Sequence, residues 1–308
     1  MKILIFILAI LLGLLVIIEV SLRLFLGLGN PALYIPDEQI GYLLAPNQRV
    51  RRMGNQIVIN QYSMRTHPIE AKRPAATVRL FLVGDSLANG AWWTDQQQTI
   101  SSLIQKQLKL SGYNQVEVLN ASANSWGPRN ELAYLKRFGT FESQVVILLL
   151  NTDDLFASAP TSMPVGRDRN YPDHKPLLAL NEIISQFIPS SPMPAMVKEN
   201  EEKGDPVGIN LAAIKEIHNL TLNKNAKLLL AITPLKREIN AATQRDYERK
   251  ARERLSDWAA EEGIAFVDFL PLFRAEKTEL LYRDTIHLTE KGNQLVSHTL
   301  TQSLRDLF

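Results

Sequence analysis

Five short apolar runs follow one another from Thr77 onwards, and helical patterns separate them. The runs are nearly continuous rather than alternating, which is typical of strands buried on both faces of a sheet. Strands that alternate with helices predict an α/β fold, a three-layer, doubly wound parallel sheet of about five strands. The runs read VRLFLV, VEVLNA, QVVILLL, AKLLLAI and GIAFVDF.

The first residues form a separate apolar segment. An uncharged run extends from Ile3 to Ile18, and Glu19 and Arg23 follow four residues apart, so they can pair on one helix face. A helix that continues to Leu28 would be about 39 Å long and would cross a bilayer with tilt. We expect residues 1–28 to be an uncleaved transmembrane signal anchor. A cleaved signal peptide is the alternative, but no small-residue cleavage site follows the run.

Two further segments differ from the regular pattern. Residues 29–76, the connector, contain several prolines and the alternating stretch NQIVINQY, which predict a small β-rich unit rather than long helices; a disordered linker is the alternative. Residues 77–308 form the main domain. Within it, residues 156–206 are a proline-rich insertion with a short helix near LLALNEIISQF, and a loop of this length is usually functional or disordered.

Composition excludes several classes of function. The net charge is +2, so nothing indicates a nucleic-acid partner, and the chain has no cysteine. Disulfides, thiolate zinc sites and a cysteine nucleophile are therefore excluded. Asp153 and Asp154 are adjacent carboxylates without a clustered histidine, which is a weak set of metal ligands. We predict neither a metal nor a cofactor.

Side chains suited to nucleophilic catalysis follow the ends of predicted strands. Gly84-Asp85-Ser86 comes directly after the first run, and Asp284 and His287 lie three apart after the last one. Ligands of an open parallel sheet bind at the carboxyl ends of its strands. A serine hydroxyl needs a base in order to attack a carbonyl, and the base needs a carboxylate that orients it. Ser86, His287 and Asp284 fit these roles; an ordinary turn serine is the alternative.

The strings GDSL at 84–87 and DTIH at 284–287 resemble the motifs of the SGNH/GDSL hydrolase family, and the resemblance covers about residues 77–308. It implies a flavodoxin-like sheet and a serine esterase that acts on ester-linked acyl groups. Ala88 stands where a G-x-S-x-G elbow would have its second glycine, which argues against an α/β-hydrolase.

The resemblance also bears on location. The family includes membrane-anchored envelope members with a segment like 29–76, which implies an extracytoplasmic catalytic domain. The distribution of charge by itself argues against export. Lys2 precedes the apolar run, whereas Arg23, Arg49, Arg51 and Arg52 follow it.

The family stabilises the oxyanion with three hydrogen-bond donors. These are the backbone N–H of the nucleophile, the backbone N–H of a glycine after the second strand, and an asparagine side chain after the third. The matching positions here are Ser86, Ser122 and Asp153. A backbone N–H survives the change to Ser122, whereas an ionised Asp153 would repel an oxyanion. Either Asp153 is protonated through burial, or Asn151 or Asn124 supplies the amide, or the site is catalytically weak.

The sequence specifies the substrate less closely than it specifies the catalytic residues. Trp92, Trp93 and Trp126 lie just past the motif segments, where aromatic faces would suit sugar rings or would simply pack. We expect an acylated small-molecule or envelope carbohydrate substrate. Acyl transfer to a polysaccharide would use the same residues. A binding module that retains the fold but lacks efficient catalysis is the alternative from another class.

Overall fold

The structure, a computed structural model, describes residues 1–187, 204–305 and 307. The 188–203 part of the predicted insertion lies outside the described residues, as do residues 306 and 308.

The predicted sheet is present. Five parallel strands have the spatial order β6-β5-β7-β8-β9, so the chain starts near one edge, adds the outer strand β6, and then crosses back to build the other side. This confirms the doubly wound α/β fold. The strands are β5 (Val78–Gly84), β6 (Val116–Ser122), β7 (Val145–Asn151), β8 (Lys227–Thr233) and β9 (Ala265–Asp268).

Helices cover both faces of this sheet. Every residue of β7 is buried, which explains the continuous apolar run VVILLLN. Side chains that alternate along the strands enter two hydrophobic clusters, one on each face. Among its described residues, the α-helices of the main domain are α2 (Ser86–Asn89), α3 (Ile100–Leu110), α4 (Pro128–Phe138), α5 (Ala179–Phe187), α6 (Pro206–Asn223), α7 (Lys236–Ile239), α8 (Asp246–Glu261), α9 (Leu270–Ala275), α10 (Thr278–Leu281) and α11 (Glu290–Arg305).

The connector contains two antiparallel hairpins. Strand β1 (Tyr34–Asp37) pairs with β2 (Gly41–Leu44), and β3 (Gln48–Arg52) pairs with β4 (Asn55–Ile59). Buried apolar side chains of both hairpins belong to the same hydrophobic cluster as Phe81 of the central sheet. The hairpins therefore pack on the main domain. The division of the chain into 1–28, 29–76 and 77–308 stays a prediction.

The N-terminal helix α1 (Lys2–Ser21) continues through a π-helical turn, Leu22–Leu26, and ends at Gly27 in the left-handed region, just before the predicted Leu28. It is long and apolar enough to span a membrane, and none of the residues in its apolar window is buried; a signal sequence meets the same criterion. Glu19 and Arg23 pair as predicted, with 2.6 Å between Oε1 and Nε.

Candidate active site

The turn after β5 presents Ser86 at the carboxyl end of the sheet. A Cβ atom on Gly84 would lie 2.6 Å from the carbonyl oxygen of Leu149 in β7, so only glycine allows this close approach. Asp85 caps the short helix α2, because its Oδ1 accepts a hydrogen bond of 2.8 Å from the N–H of Leu87. Gly84 thus allows the close approach of two strands, Asp85 caps the helix that follows, and Ser86 lines the cavity at this end of the sheet.

Asp284 and His287 lie in the loop between α10 and α11. Asp284 Oδ1 accepts hydrogen bonds of 2.8 Å from the backbone N–H groups of Ile286 and His287, and its Oδ2 lies 2.7 Å from His287 Nδ1. His287 Nε2 lies 3.0 Å from Ser86 Oγ. The structure therefore brings the three sequence-predicted residues into one chain of hydrogen bonds.

The electrostatics of Asp284 suit an orienting carboxylate. Its partial burial raises the pKa, but the two backbone N–H groups and the His287 ring outweigh this, so the pKa of Asp284 lies below its usual value. An ionised Asp284 favours the tautomer in which Nδ1 carries the proton. His287 Nε2 is then left as the acceptor that faces the serine hydroxyl.

One tryptophan, Trp93, packs against the histidine ring. The rings of Trp93 and His287 meet edge to face with centroids 4.8 Å apart. The guanidinium of Arg283 lies 5.1 Å from the centroid of Trp93 and 5.8 Å from that of Trp92. A contact of Trp93 with the catalytic histidine was not predicted, since the only signal for it is the position of Trp93 shortly after Ser86. Trp126, by contrast, is fully buried and packs against Tyr134, so for Trp126 the packing interpretation is the one the structure supports.

The side chain of Asn151 is bonded to Asp85, the residue before the nucleophile. Its Nδ2 donates to Asp85 Oδ2 at 2.9 Å and to Asp154 Oδ2 at 3.1 Å. Burial raises the pKa of Asp85, and it raises the pKa of Asp154 strongly, with Asp85 and Glu131 adding to the effect. The Asn151 amide is therefore engaged between two buried carboxyl groups in this conformation.

Asp153 lies apart from this network. Its side chain is half exposed and its Oδ1 lies 3.5 Å from an Arg237 nitrogen, while its backbone N–H donates to Asn151 Oδ1 at 2.8 Å. The side chain is therefore not buried, as that alternative for Asp153 required. Ser122 is buried at the end of β6, where its hydroxyl donates to Asn120 Oδ1 at 2.6 Å.

A further amide, Asn124, lies in the segment between β6 and α4. It lines the same cavity as Ser86 and His287. Its side-chain Oδ1 is buried and has no hydrogen-bond partner among the described residues. Because the oxygen and nitrogen of an amide are assigned from their partners, the position without a partner could equally hold the nitrogen, which would then be a hydrogen-bond donor.

The cavity in front of Ser86 has a volume of about 410 Å³, within the range of small-molecule sites. Residues of the loop after α2, of the connector and of the 156–206 insertion, including its helix α5, line this cavity. The residues that line it include Tyr34, Leu44, Ile57, Ile59, Trp92, Trp93, Tyr171 and Glu182, together with Arg52, Arg65 and Arg169. The connector and insertion residues were missed as site residues, because their distance in sequence gives no signal of contact.

The connector also holds the loop that carries the tryptophans. Buried Arg65 donates to the carbonyl oxygens of Ala91 and Thr94, and Asn55 Nδ2 donates to the carbonyl oxygen of Trp92 at 3.2 Å. Burial lowers the pKa of Arg65 to about 10, which still leaves it charged at neutral pH.

No metal site is evident within the described part of the chain, because no group of three or more histidine, aspartate or glutamate residues lies close enough together to hold an ion.

A comparison with family models decides the classification. The model described as "GDSL-like Lipase/Acylhydrolase family" matches residues 82–295. The chain belongs to this family. The match confirms the resemblance drawn from GDSL and DTIH, and it assigns the chain to a family of ester-hydrolysing enzymes.

Solved structures similar to this member of the GDSL-like family include TesA, an acetyl xylan esterase named AlAXEase, and a GDSL-like lipase from Bacteroides thetaiotaomicron. TesA is 20% identical, covers 75% of this chain and 99% of its own, and has a TM-score of 0.48. The acetyl xylan esterase is 15% identical with coverages of 74% and 100% and a TM-score of 0.47. The lipase is 13% identical with coverages of 78% and 93% and a TM-score of 0.47. The search of curated proteins finds no match.

Proposed function

We propose that this protein is a membrane-anchored serine esterase in which Ser86 is the nucleophile. The observation that carries the proposal is the continuous hydrogen-bonded chain from Ser86 Oγ through His287 to Asp284, with distances of 3.0 and 2.7 Å, at the edge of a cavity. A nucleophile within reach of a base, with the base oriented by a third group, is the arrangement that acyl transfer requires.

The proposed reaction has two stages. His287 Nε2 takes the hydroxyl proton as Ser86 Oγ attacks the ester carbonyl, and Asp284 stabilises the imidazolium that forms. Collapse of the tetrahedral intermediate breaks the bond to the alcohol, which leaves with the proton from His287. Water then attacks the acyl-enzyme by the same steps, so the products are an alcohol and a carboxylic acid.

The oxyanion that forms needs donors. We assign the backbone N–H groups of Ser86 and Ser122 and the side-chain amide of Asn124. Asn124 is preferred over Asn151, whose amide is bonded to Asp85 and Asp154, and over Asp153, whose half-exposed carboxylate faces Arg237. Of the alternatives weighed from sequence, this assignment keeps the site competent without requiring a protonated Asp153.

The anchor would tether the site to a membrane through residues 1–28, with the catalytic domain on the extracytoplasmic side. Helix α1 and its π-turn supply the length and hydrophobicity for a span. A tethered esterase would act on acyl esters within reach of that surface, including acylated envelope carbohydrate. The half-exposed ring of Trp92 at the cavity supports a sugar as one partner in the ester.

Acyl transfer differs from hydrolysis only in the acceptor. The same residues serve if a sugar hydroxyl replaces water in the second stage. Release of the acyl group to water but never to added oligosaccharide would count against a transferase.

A non-catalytic binding module is the alternative from another class, and it is motivated by the carboxylate at Asp153 in place of the family's asparagine. A strong gain of esterase activity in Asp153→Asn would mean that the natural site is impaired.

A fluorophosphonate probe tests the proposal directly. The full-length protein in detergent should gain one adduct by intact mass, and Ser86→Ala and His287→Ala should gain none. Ser162→Ala and His298→Ala, which change exposed residues, are matched controls and should label like the parent. A folded parent that takes up no probe, or a Ser86→Ala protein that still labels, would contradict the proposal.

A further inference from the structure

The apolar helix meets the catalytic domain at the point where a membrane span would end. A hydrocarbon core of about 30 Å takes about 20 residues of α-helix, so a span that begins at Ile3 ends near Leu22. The ion pair between Glu19 and Arg23 therefore lies at the boundary of the lipid. A part of the domain that is bonded to this pair must lie at the same boundary.

The start of α5 is bonded to this ion pair. Glu19 Oε1 accepts a hydrogen bond of 2.7 Å from the N–H of Ala179, and Glu19 Oε2 accepts one of 3.1 Å from the N–H of Leu180. Arg23 Nη2 donates to the carbonyl oxygen of Leu177 at 2.7 Å. These bonds attach the first turn of α5 to the end of the apolar helix.

The inner face of α5 belongs to the catalytic cavity. Glu182 and Ser185 lie three residues apart on this face, and both line the cavity in front of the nucleophile. Glu182 also accepts a hydrogen bond of 2.7 Å from the N–H of Gly29 and pairs with Arg52. Helix α5 is thus fixed both to the cavity and to the segment that leaves the apolar helix.

The outer face of α5 is apolar and exposed. Successive residues of a helix are about 100° apart, so Ile184 and Phe187 lie on the side away from Glu182. The side chain of Ile184 is 47% exposed and that of Phe187 is 82% exposed. Leu177 and Leu178, just before the helix, are exposed as well. A group of exposed, large apolar side chains marks an interaction surface.

The turn of the β3–β4 hairpin also lies at the end of the apolar helix. The N–H of Met53 donates to the carbonyl oxygen of Leu26 at 2.9 Å, and the Met53 side chain is exposed. Arg49 and Arg51 lie two positions apart on β3, so their side chains are on the same face of the strand, and both are exposed. Basic side chains next to a span attract anionic lipid headgroups.

We propose that the outer face of α5 lies in the lipid interface of the membrane that the apolar helix spans, with the β3–β4 turn beside it and Arg51 at the level of the headgroup phosphates. The hydrogen bonds that attach the start of α5 to the end of the span favour a lipid surface over a protein partner. This inference rests on the proposed function, because it requires residues 1–28 to be a membrane anchor. Through Glu182 and Ser185, α5 would then hold the catalytic cavity at the membrane surface.

Single spin labels measure the depth of α5, since the chain has no cysteine of its own. The full-length protein is labelled at Ile184→Cys or Phe187→Cys in nanodiscs of phosphatidylcholine and phosphatidylglycerol. Power saturation with oxygen and with a water-soluble nickel chelate then reports the depth. Both labels should lie about 5–10 Å inside the headgroup boundary. Leu110→Cys is the matched control and should lie in water, because this exposed leucine ends α3 before β6 begins, at the edge of the sheet opposite Ser86.

A label within the apolar helix separates this inference from the proposed anchor. Leu12→Cys, near the middle of the span, should be the deepest of the labelled sites. Labels at Ile184 and Phe187 that reach the nickel chelate as freely as the one at Leu110, with the Leu12 label in lipid, would overturn the inference and leave the anchor standing. A Leu12 label in water would overturn the anchor and, with it, the inference.

Each labelled protein is also treated with the fluorophosphonate probe. Uptake at the parental level shows that the variant is folded with an intact site. The depth of the labels is measured independently of catalysis, so a parent that takes up no probe would contradict the esterase alone.

Discussion

His287 Nε2 lies 3.0 Å from Ser86 Oγ, although 201 positions separate the two residues in the chain. The same hydroxyl lies 3.2 Å from Asp85 Oδ2. A serine has one hydroxyl proton, so His287 and Asp85 compete for it. Burial raises the pKa of Asp85, although the Leu87 N–H and His287 oppose this. Asp85 Oδ2 also accepts a hydrogen bond of 2.9 Å from Asn151 Nδ2, so the Ser86 hydroxyl is one of two donors to that oxygen.

Asp284→Asn should lower kcat for ester hydrolysis by up to about 10⁴-fold. The asparagine amide would donate to His287 Nδ1 and leave the proton on Nε2, where it can no longer accept from Ser86. The measurement is kcat near neutral pH for the full-length protein, with Asp257→Asn on the exposed side of α8 as the control. Parental turnover in Asp284→Asn would exclude Asp284 as the orienting carboxylate.

Asn124→Ala should lower kcat by about 10²–10³-fold with little change in KM, as expected for loss of one oxyanion donor. Asp153→Asn should leave kcat near the parental value, because the Asp153 carboxylate is half exposed and faces Arg237. Asn223→Ala, an exposed change at the end of α6, is the control. The reverse result, with Asn124→Ala active and Asp153→Asn strongly changed, would reassign the third donor to position 153.

Glu131→Gln should stabilise the folded protein at neutral pH. Both carboxyl oxygens of Glu131 are buried without a hydrogen-bond partner among the described residues, and burial, with Asp85 adding to it, raises the pKa of Glu131 well above its usual value. The unfolded chain ionises this group near pH 4.3, whereas the folded one holds its proton, so stability is full below that pH and falls by about 1.4 kcal/mol per pH unit until the folded pKa is reached.

The check is the melting temperature as a function of pH. The advantage of Glu131→Gln over the parent should be largest at neutral pH and should shrink as the pH falls towards 4, with Glu279→Gln at an exposed position showing no such trend. An advantage independent of pH would mean that Glu131 is not protonated differently in the two states.

The orientation of the anchor can be measured with a single introduced thiol. The chain has no cysteine, so Lys109→Cys, at an exposed position of α3, provides one labelling site. In intact cells a membrane-impermeant maleimide should modify it, because we place the catalytic domain on the extracytoplasmic side. Intact mass should show that the apolar segment is retained. Labelling only after the cells are lysed would reverse the topology, and loss of the first residues would indicate a cleaved signal peptide.

The strands of the sheet were predictable because each one is marked by a short apolar segment of the sequence. Each strand buried on both faces has a continuous apolar run of its own, and Pro128 begins α4 where its missing N–H costs nothing. The end of α1 was placed slightly too late, because the left-handed turn at Gly27 stops the helix before Leu28. Strand order and the path of the connector depend on contacts between distant segments, which no local pattern records.

The sequence by itself determined the α/β class, the family, and the reactive residue types with their order along the chain, because these depend on hydrophobic period and short motifs. The tertiary structure determined which polar side chains form hydrogen bonds with one another. Asn151 donates hydrogen bonds to two buried carboxyl groups, whereas Asn124 is among the residues that line the cavity. It also decided that the connector walls the cavity, since packing brings β4 beside a loop that it precedes by more than thirty positions. Side-chain direction and long-range packing follow from the whole fold, and a one-dimensional pattern does not contain them.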